Sequence, residues 1–220
     1  MPDVLVQYQD EIVTAILQTF IMVGASILAA VIIGLPVGTL IFLTRKGQLI
    51  ENRVISNVLN LLVNIIRSFP FLLLVVFLIP FTRFLLGTAI GTAAATVPLA
   101  IIAIAHYARL VEQSLLEVPK GVVEAALSMG ASVRDVVFKF LFVEARSGLV
   151  LGLTTSTISF ISYSTIMGVV GGGGIGDFAI RYGYQQFKTD LMMYMIIIMI
   201  ILVQCIQLFG TALAKKLDKR

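Results

Sequence analysis

Residues 149–170 hold the densest group of side chains that could handle a polar solute. This apolar stretch carries eight serine and threonine hydroxyls: Thr154, Thr155, Ser156, Thr157, Ser159, Ser162, Ser164 and Thr165. They could line a passage, or they could seal helix contacts and bond to their own backbone. Ile166 and Met167 at the far end could form an apolar gate that excludes water. The candidate pathway residues here are Ser162, Ser164, Thr165, Ile166 and Met167, with packing as the alternative for each.

Arg67 is the single charged residue within a second apolar stretch, residues 58–78. A charge at that depth is costly in lipid and must face protein or water. Arg67 could therefore line a pathway. Alternatively, it could donate to backbone carbonyls near a kink made by Pro70.

Patterns typical of catalysis, metal binding or nucleotide binding are missing. No carboxylate pair lies within an apolar stretch, which argues against acid–base catalysis and proton-driven transport. Cys205 is the only cysteine, so an internal disulfide and a Cys-based metal site are excluded. No Gly-x-x-x-x-Gly-Lys-Ser/Thr occurs, and the glycines at 171, 173 and 176 lack the βαβ context of a dinucleotide fingerprint. We predict no catalytic residue, metal or cofactor on this chain, and a flexible turn at those glycines.

The composition indicates that membrane helices must position these residues. The chain has 220 residues, of which 59% are hydrophobic and 13% are charged, whereas a soluble domain averages about 25% charged residues. Several uncharged stretches exceed the roughly 18 residues that identify a membrane-spanning helix. Asp3, Asp10 and Glu11 precede the first stretch without any Lys or Arg, unlike a signal peptide. We therefore predict one all-α membrane domain over residues 1–220.

Five spans of about 20 residues can be placed: Thr19–Leu43, Val58–Leu78, Ala93–Leu110, Leu149–Val170 and Leu191–Leu213. The segment 81–91 could be a re-entrant or interfacial piece. Twelve of the sixteen Lys and Arg would share one side: Arg45, Lys46, Arg53, Arg109, Lys120, Arg134, Lys139, Arg146, Lys215, Lys216, Lys219 and Arg220. The positive side faces the cytoplasm, so the amino terminus lies outside and the carboxyl terminus inside. Membrane orientation therefore accounts for the net charge of +4, which is not a signal for nucleic-acid binding.

The link at residues 116–143 reads as two helices joined by a glycine turn. Pro119 suits the first turn of a helix, and Gly130 can take the left-handed conformation that ends it. Ser132 can cap the next helix, with Asp135 three residues on as in a capping box, and that helix would run into the fourth span. The first helix presents small and apolar residues to one side: Val122, Ala125, Ala126 and Met129. That side could dock into a partner, or it could pack on the membrane surface or on its own bundle.

Glu124-Ala125-Ala126, with Gly130 following, resembles the EAA loop of ABC importer permeases. In that family the loop forms the coupling helix that sits in a cleft of the ATPase subunit. The resemblance therefore implies that Glu124, Ala125, Ala126 and Gly130 contact an ATPase. The family pattern ends in Leu-Pro, whereas this sequence has Phe142-Val143, so the kink expected at the start of the fourth span is in question.

Further stretches are similar to the methionine-importer branch of these permeases. They are 64–71, 79–83, 87–88, 90–91, 108–112, 115–119, 174–176 and 182–184. The resemblance implies a homodimeric permease in the bacterial cytoplasmic (inner) membrane. Independently, five helices of this size hardly enclose a gated pathway alone, so we expect the path on the axis of a two-fold dimer. It also implies two copies of an ATPase that carries ATP and Mg, and an extracytoplasmic binding protein that delivers methionine. The alternatives are a permease for another polar amino acid, or a stand-alone channel or secondary carrier.

Overall fold

The computed structural model describes residues 6–218, which form helices and no strand. Asp3, Lys219 and Arg220, which entered the arguments on the signal peptide and on orientation, lie outside the described residues. In chain order the helices are α1 (Gln9–Thr44, π-helical over Ala30–Gly34), α2 (Arg53–Ser68), α3 (Phe71–Phe77), α4 (Ile79–Leu86), α5 (Thr92–Leu116), α6 (Lys120–Ser128), α7 (Val133–Asp135, π-helical Val136–Leu141 and Phe142–Val169), α8 (Gly174–Phe178, then π-helical Ala179–Gln185) and α9 (Thr189–Leu217).

Three helices, α1, α5 and α9, are each long and apolar enough to cross a membrane. Helices α2 and α3 meet that condition only together, and they are bent by 104° relative to each other. Within residues 6–218, length and composition thus give three spans, or four if the bent pair is one span. The all-α membrane class predicted from composition is confirmed.

The predicted span over residues 58–78 bends at Pro70, where a kink was expected, and the bend is sharp enough to separate two helices. Phe69 has φ −70° and ψ 131°, and Pro70 has φ −56° and ψ 128°. A proline disfavours helical geometry in the residue before it and supplies no N–H. The break therefore ends α2 at Ser68 and begins α3 at Phe71, and the helix α4 follows where a re-entrant or interfacial piece was predicted.

Helix α5 is the centre of the bundle, and glycines bring α1 close to it. A Cβ on Gly34 would lie 2.8 Å from the carbonyl oxygen of Ile104, and one on Gly38 would clash with the carbonyl of Ala108. Small residues at such a contact let two membrane helices pack backbone to backbone. The core that results is apolar and includes Leu99, which is fully buried.

One buried carboxylate ties three helices together at the end of the bundle that leads into α6. Glu112 on α5 is 3% exposed and pairs with Arg109 and with Arg45, whose guanidinium lies 3.4 Å away. Arg109 also donates to the Asn64 side chain of α2 at 2.7 Å. A buried charge is tolerated only when it is paired and hydrogen-bonded. This network fixes the end of α5, from which the link to α6 departs.

Candidate functional site

Helix α6 is a short, separately capped element between α5 and α7. Pro119, with φ −58°, stands immediately before its first residue, Lys120. At the other end Gly130 has φ +79°, donates its N–H to Leu127 O at 2.9 Å, and is followed by Ala131, which donates to Ala126 O at 3.1 Å. These two bonds form the Schellman motif that ends a helix. The predicted glycine stop is confirmed, whereas Pro119 stands just before the first turn rather than within it.

Ser132 caps the start of α7 as predicted. Its hydroxyl accepts from the Asp135 N–H at 3.2 Å and donates to the Asp135 carboxylate at 2.5 Å. The Lys139 ammonium lies 2.6 Å from the same carboxylate. The hydrogen bond from Lys139, followed by that from Ser132, lowers the pKa of Asp135. The two helices are therefore joined by a turn whose backbone is fixed on both sides, and α7 continues without a break into the stretch that carries the eight hydroxyls.

The two faces of α6 have different surroundings. Val122 and Val123 are half-buried and Ala126 is fully buried, all against the main core. The other face is exposed and comprises Glu124, Ala125, Leu127, Ser128 and Met129. Val122, Ala125, Ala126 and Met129 follow the i, i+3, i+4, i+7 spacing of one helix side. The bundle covers only part of that side, because Val122 and Ala126 pack against the core whereas Ala125 and Met129 are exposed.

This arrangement divides the four predicted coupling residues into two groups. Glu124 and Ala125 lie on the exposed face, where they can reach a partner. Ala126 has no exposed surface, so its small side chain serves the packing of α6 on its own bundle. Gly130 is exposed and sets the direction in which the chain leaves the helix.

The predicted pathway residues on α7 do not share a face. Ser162 is exposed, whereas Ser164 and Met167 are each 2% exposed. Thr165 and Ile166 are half-buried. Because successive residues on a helix are about 100° apart, the five side chains point in different directions, and only Ser162 lies fully on the outer surface of this single chain.

Most of the hydroxyls on α7 bond to their own helix. Six of them donate to a backbone carbonyl three or four residues earlier: Thr154, Thr157, Ser159, Ser162, Ser164 and Thr165. This is the behaviour expected of Ser and Thr in membrane helices. The Ser156 hydroxyl is fully buried and has no hydrogen-bond partner among the described residues. The alternative that these side chains bond to their own backbone is therefore confirmed for the six. Two of the eight residues, Thr155 and Ser162, are exposed on the surface of the chain.

Arg67 is exposed in the last turn of α2, next to the break at Pro70. A cation at that position interacts favourably with the negative end of the helix dipole. The site thus combines the kink that sequence reasoning expected with an arginine that faces away from the chain's own core.

The glycine-rich segment forms the predicted turn between α7 and α8. Gly171, Gly173 and Gly174 all have positive φ, which only glycine adopts readily. The Gly174 N–H donates to the Gln18 side chain at 2.8 Å, and the Ile175 N–H donates to the Thr19 hydroxyl at 2.9 Å. The turn is thus held against α1, a contact 156 residues away in sequence that no local pattern could reveal.

No group of three or more His, Cys, Asp or Glu that could hold a metal ion occurs within residues 6–218. The arrangement instead offers the exposed, separately capped helix α6 and, after the turn at Gly130, the hydroxyl-bearing helix α7.

Comparisons with known proteins identify relatives over nearly the whole chain. The family of binding-protein-dependent transport system inner membrane components matches residues 34–220. A probable D-methionine transport system permease protein MetI from Vibrio cholerae is 44% identical over 211 residues, 96% of this chain and 94% of the relative. A methionine import system permease protein MetP from Bacillus subtilis is 42% identical over 181 residues, 82% of each chain.

A solved structure of the MetNI methionine ABC transporter in inward facing conformations is similar to this fold. The TM-score is 0.94 at 39% sequence identity, and the match covers 97% of this chain and 99% of the other.

Proposed function

The chain belongs to the family of binding-protein-dependent transport system inner membrane components, and we propose that it is the permease subunit of an ATP-driven methionine importer. Its part is to form the membrane passage, while ATP and Mg bind to an ATPase on a separate chain. The relatives named for methionine transport support the substrate, since they match the chain over 82–96% of its length.

The observation that carries this proposal is the exposed face of α6. It presents Glu124 and Ala125 beside the apolar side chains of Leu127 and Met129, of which Met129 is 71% exposed. An exposed apolar face on a short helix is costly in water and typical of a surface that a partner covers. The cleft of an ATPase subunit is the partner we propose, with Glu124 and Ala125 at the contact and with Gly130 and Ala126 holding the helix in position.

We propose that the chain crosses a bacterial cytoplasmic membrane five times, with the amino terminus outside. Helices α1, α5 and α9 supply three crossings, and the bent pair α2–α3 supplies another. The 28 residues of Phe142–Val169 are about 42 Å long at 1.5 Å per residue, enough for the fifth crossing of a hydrocarbon core about 30 Å thick. This arrangement puts α6 and most of the Lys and Arg on the cytoplasmic side.

The passage itself requires a second copy of the chain. A homodimer related by a two-fold axis would place the same surface of each copy along the path. The exposed Ser162 and Arg67 are the predicted pathway residues best positioned for such a surface, while Ser164, Thr165, Ile166 and Met167 would act from behind it as support for a gate. An extracytoplasmic binding protein would deliver methionine to the outer end, where the turn at Gly171–Gly174 lies.

The test is ATP-dependent uptake by the chain reconstituted in liposomes with its ATPase and binding protein. We expect methionine uptake that requires ATP, the binding protein and an unaltered α6. Uptake of a different amino acid under the same conditions would overturn the substrate, and flux without ATP or ATPase would overturn the importer.

A further inference from the structure

A long apolar groove runs between α7 and α9, with α1 closing one side. Its volume is about 680 Å³. Phe20 of α1 lines it, together with two sets of residues: Val150, Leu153, Thr154 and Thr157 on α7, and Ile198, Ile201, Leu202, Cys205, Ile206, Phe209, Gly210 and Leu213 on α9. The two threonines donate to their own backbone at 2.8 Å, so their hydroxyls leave the groove apolar.

The floor of the groove is a close contact between two helices. A Cβ on Gly210 would clash with the Thr154 side chain, so glycine lets α9 approach α7 at that point. Between Ile198 and Leu213 the groove follows α9 for about 22 Å at 1.5 Å per residue, which exceeds the roughly 15 Å thickness of one leaflet's hydrocarbon.

Each of the two helices that form the groove carries a cationic residue at the same end of it. Along α9 the lining residues recur every three or four positions, and this spacing continues from Phe209 and Leu213 to Lys216. Along α7 the same spacing leads back from Val150 and Leu153 to Arg146. The Arg146 Nε–H donates to the Leu217 carbonyl at 2.7 Å, so the Arg146 side chain is held at the backbone of the residue that follows Lys216.

We propose that this groove binds one anionic phospholipid, with an acyl chain along α9 and the headgroup phosphate at Arg146 and Lys216. Helices α1 and α9, which border the groove, are each long and apolar enough to cross a membrane, and only 11% of the most apolar window of α9 is buried within the chain. An apolar groove in that environment is filled by hydrocarbon rather than water.

The paired cations select for a negative headgroup, since each Lys or Arg near a membrane surface adds about fivefold to the binding of anionic lipid. Glu144 and Asp218 lie nearby in sequence, and both already have interaction partners. This site does not depend on the substrate or on the ATPase.

Fluorescence quenching by brominated lipids tests the proposal directly, because the chain has no tryptophan. Phe209→Trp places a single reporter in the groove, and Leu208→Trp places one on the neighbouring exposed surface outside it. In the purified full-length chain we expect dibrominated phosphatidylglycerol to quench the Phe209→Trp reporter with an apparent affinity at least about fivefold higher than dibrominated phosphatidylcholine. The Leu208→Trp reporter should show no such preference.

Charge substitutions then separate a built site from ordinary lipid contact. Arg146→Gln and Lys216→Gln should each reduce the preference for phosphatidylglycerol, whereas Lys215→Gln should preserve it because Lys215 faces away from the groove. Equal quenching by the two lipids would overturn the proposal. So would protection of the Phe209→Trp reporter from both, which would mean that protein, such as a second copy of the chain, fills the groove.

Discussion

Helix α6 and the hydroxyl-rich part of α7 are adjacent in sequence but are specified in different ways. The ends of α6 are fixed by Pro119 and Gly130, and the start of α7 is fixed by Ser132, all through local hydrogen bonds and backbone angles. On α7, by contrast, chemically identical serines two positions apart are exposed at 162 and buried at 164. A local pattern can therefore define the ends of α6, whereas the exposure of a candidate pathway residue depends on what surrounds it.

Replacement of Gly130 should have the largest effect on uptake, because this residue forms the turn that ends α6. Gly130→Pro cannot adopt φ +79° and removes the N–H that bonds to Leu127 O, at a cost of about 3 kcal/mol or more at this turn. We expect ATP-dependent uptake to fall to background while the membrane helices stay folded by circular dichroism.

The matched control is Gly130→Asn, since asparagine tolerates the left-handed region. It should retain most of the uptake. If both variants were equally inactive, the side chain rather than the backbone conformation at residue 130 would matter, and the role given to the glycine would be wrong.

The neighbouring alanines of α6 should separate coupling from packing. Ala126→Leu overfills the core and should lower the stability of the chain by about 1–3 kcal/mol, measured as an earlier thermal transition in detergent. Ala125→Leu should leave that transition unchanged and weaken co-purification with the ATPase by about tenfold, the equivalent of 1.4 kcal/mol. If Ala125→Leu lowered the stability and left the assembly with the ATPase intact, the assignment of Ala125 to the partner-facing side and Ala126 to the core would be wrong.

Substitution of Ser162 or Ser164 on α7 should have a smaller effect than the changes in α6, and the two serines should differ in what they affect. Ser164 donates to Ile161 O at 2.7 Å, so Ser164→Ala should cost about 0.6 kcal/mol, near the lower end of the range for an intramolecular hydrogen bond. Ser162→Ala should instead slow methionine uptake about threefold, which corresponds to a similar free energy. It should not change the stability. Initial uptake rates and thermal transitions measured on both variants decide this, and a rate effect confined to Ser164→Ala would assign the passage to the buried face.

The smallest expected effect concerns pH and Asp135. The hydrogen bonds from Lys139 and Ser132 lower its pKa, so the folded state binds this proton more weakly than the unfolded state does. The stabilisation is therefore present above the ordinary carboxyl pKa of 3.8 and is lost as pH falls through the lowered value. Asp135→Asn should reduce thermal stability slightly at pH 7, and the difference from the parent should shrink as the pH is lowered below 3.8. A difference that does not shrink with falling pH would exclude the charge as its cause.

Local sequence rules predict where α6 and α2 end, but they do not predict how α6 is rotated against the bundle. Proline, glycine and capping residues act within a few positions, so both ends of α6 and the break near Pro70 follow from local rules. The rotation of α6 about its axis does not, because its apolar stripe is broad and the bundle covers only the part centred on Val122 and Ala126.

Long-range contacts account for what sequence reasoning missed. Glu112 lies in a helix of ordinary pattern, and its burial depends on Arg45, 67 residues away. The bonds from the glycine turn to Gln18 and Thr19 join residues 156 positions apart. Such partners meet only after the helices have packed, and periodicity within one helix carries no signal for them.

Site-directed cross-linking tests the central claim, that the exposed face of α6 contacts the ATPase, most directly. Cys205 is the only cysteine, so a Cys205→Ser chain can carry one new cysteine at Ala125, at Ala126 or, as an exposed control on α9, at Ala212. With a bifunctional reagent and the assembled complex, we expect a cross-link to the ATPase from Ala125→Cys and none from Ala126→Cys or Ala212→Cys. An active complex in which Ala125→Cys reacts with the reagent but never cross-links to the ATPase would contradict the account.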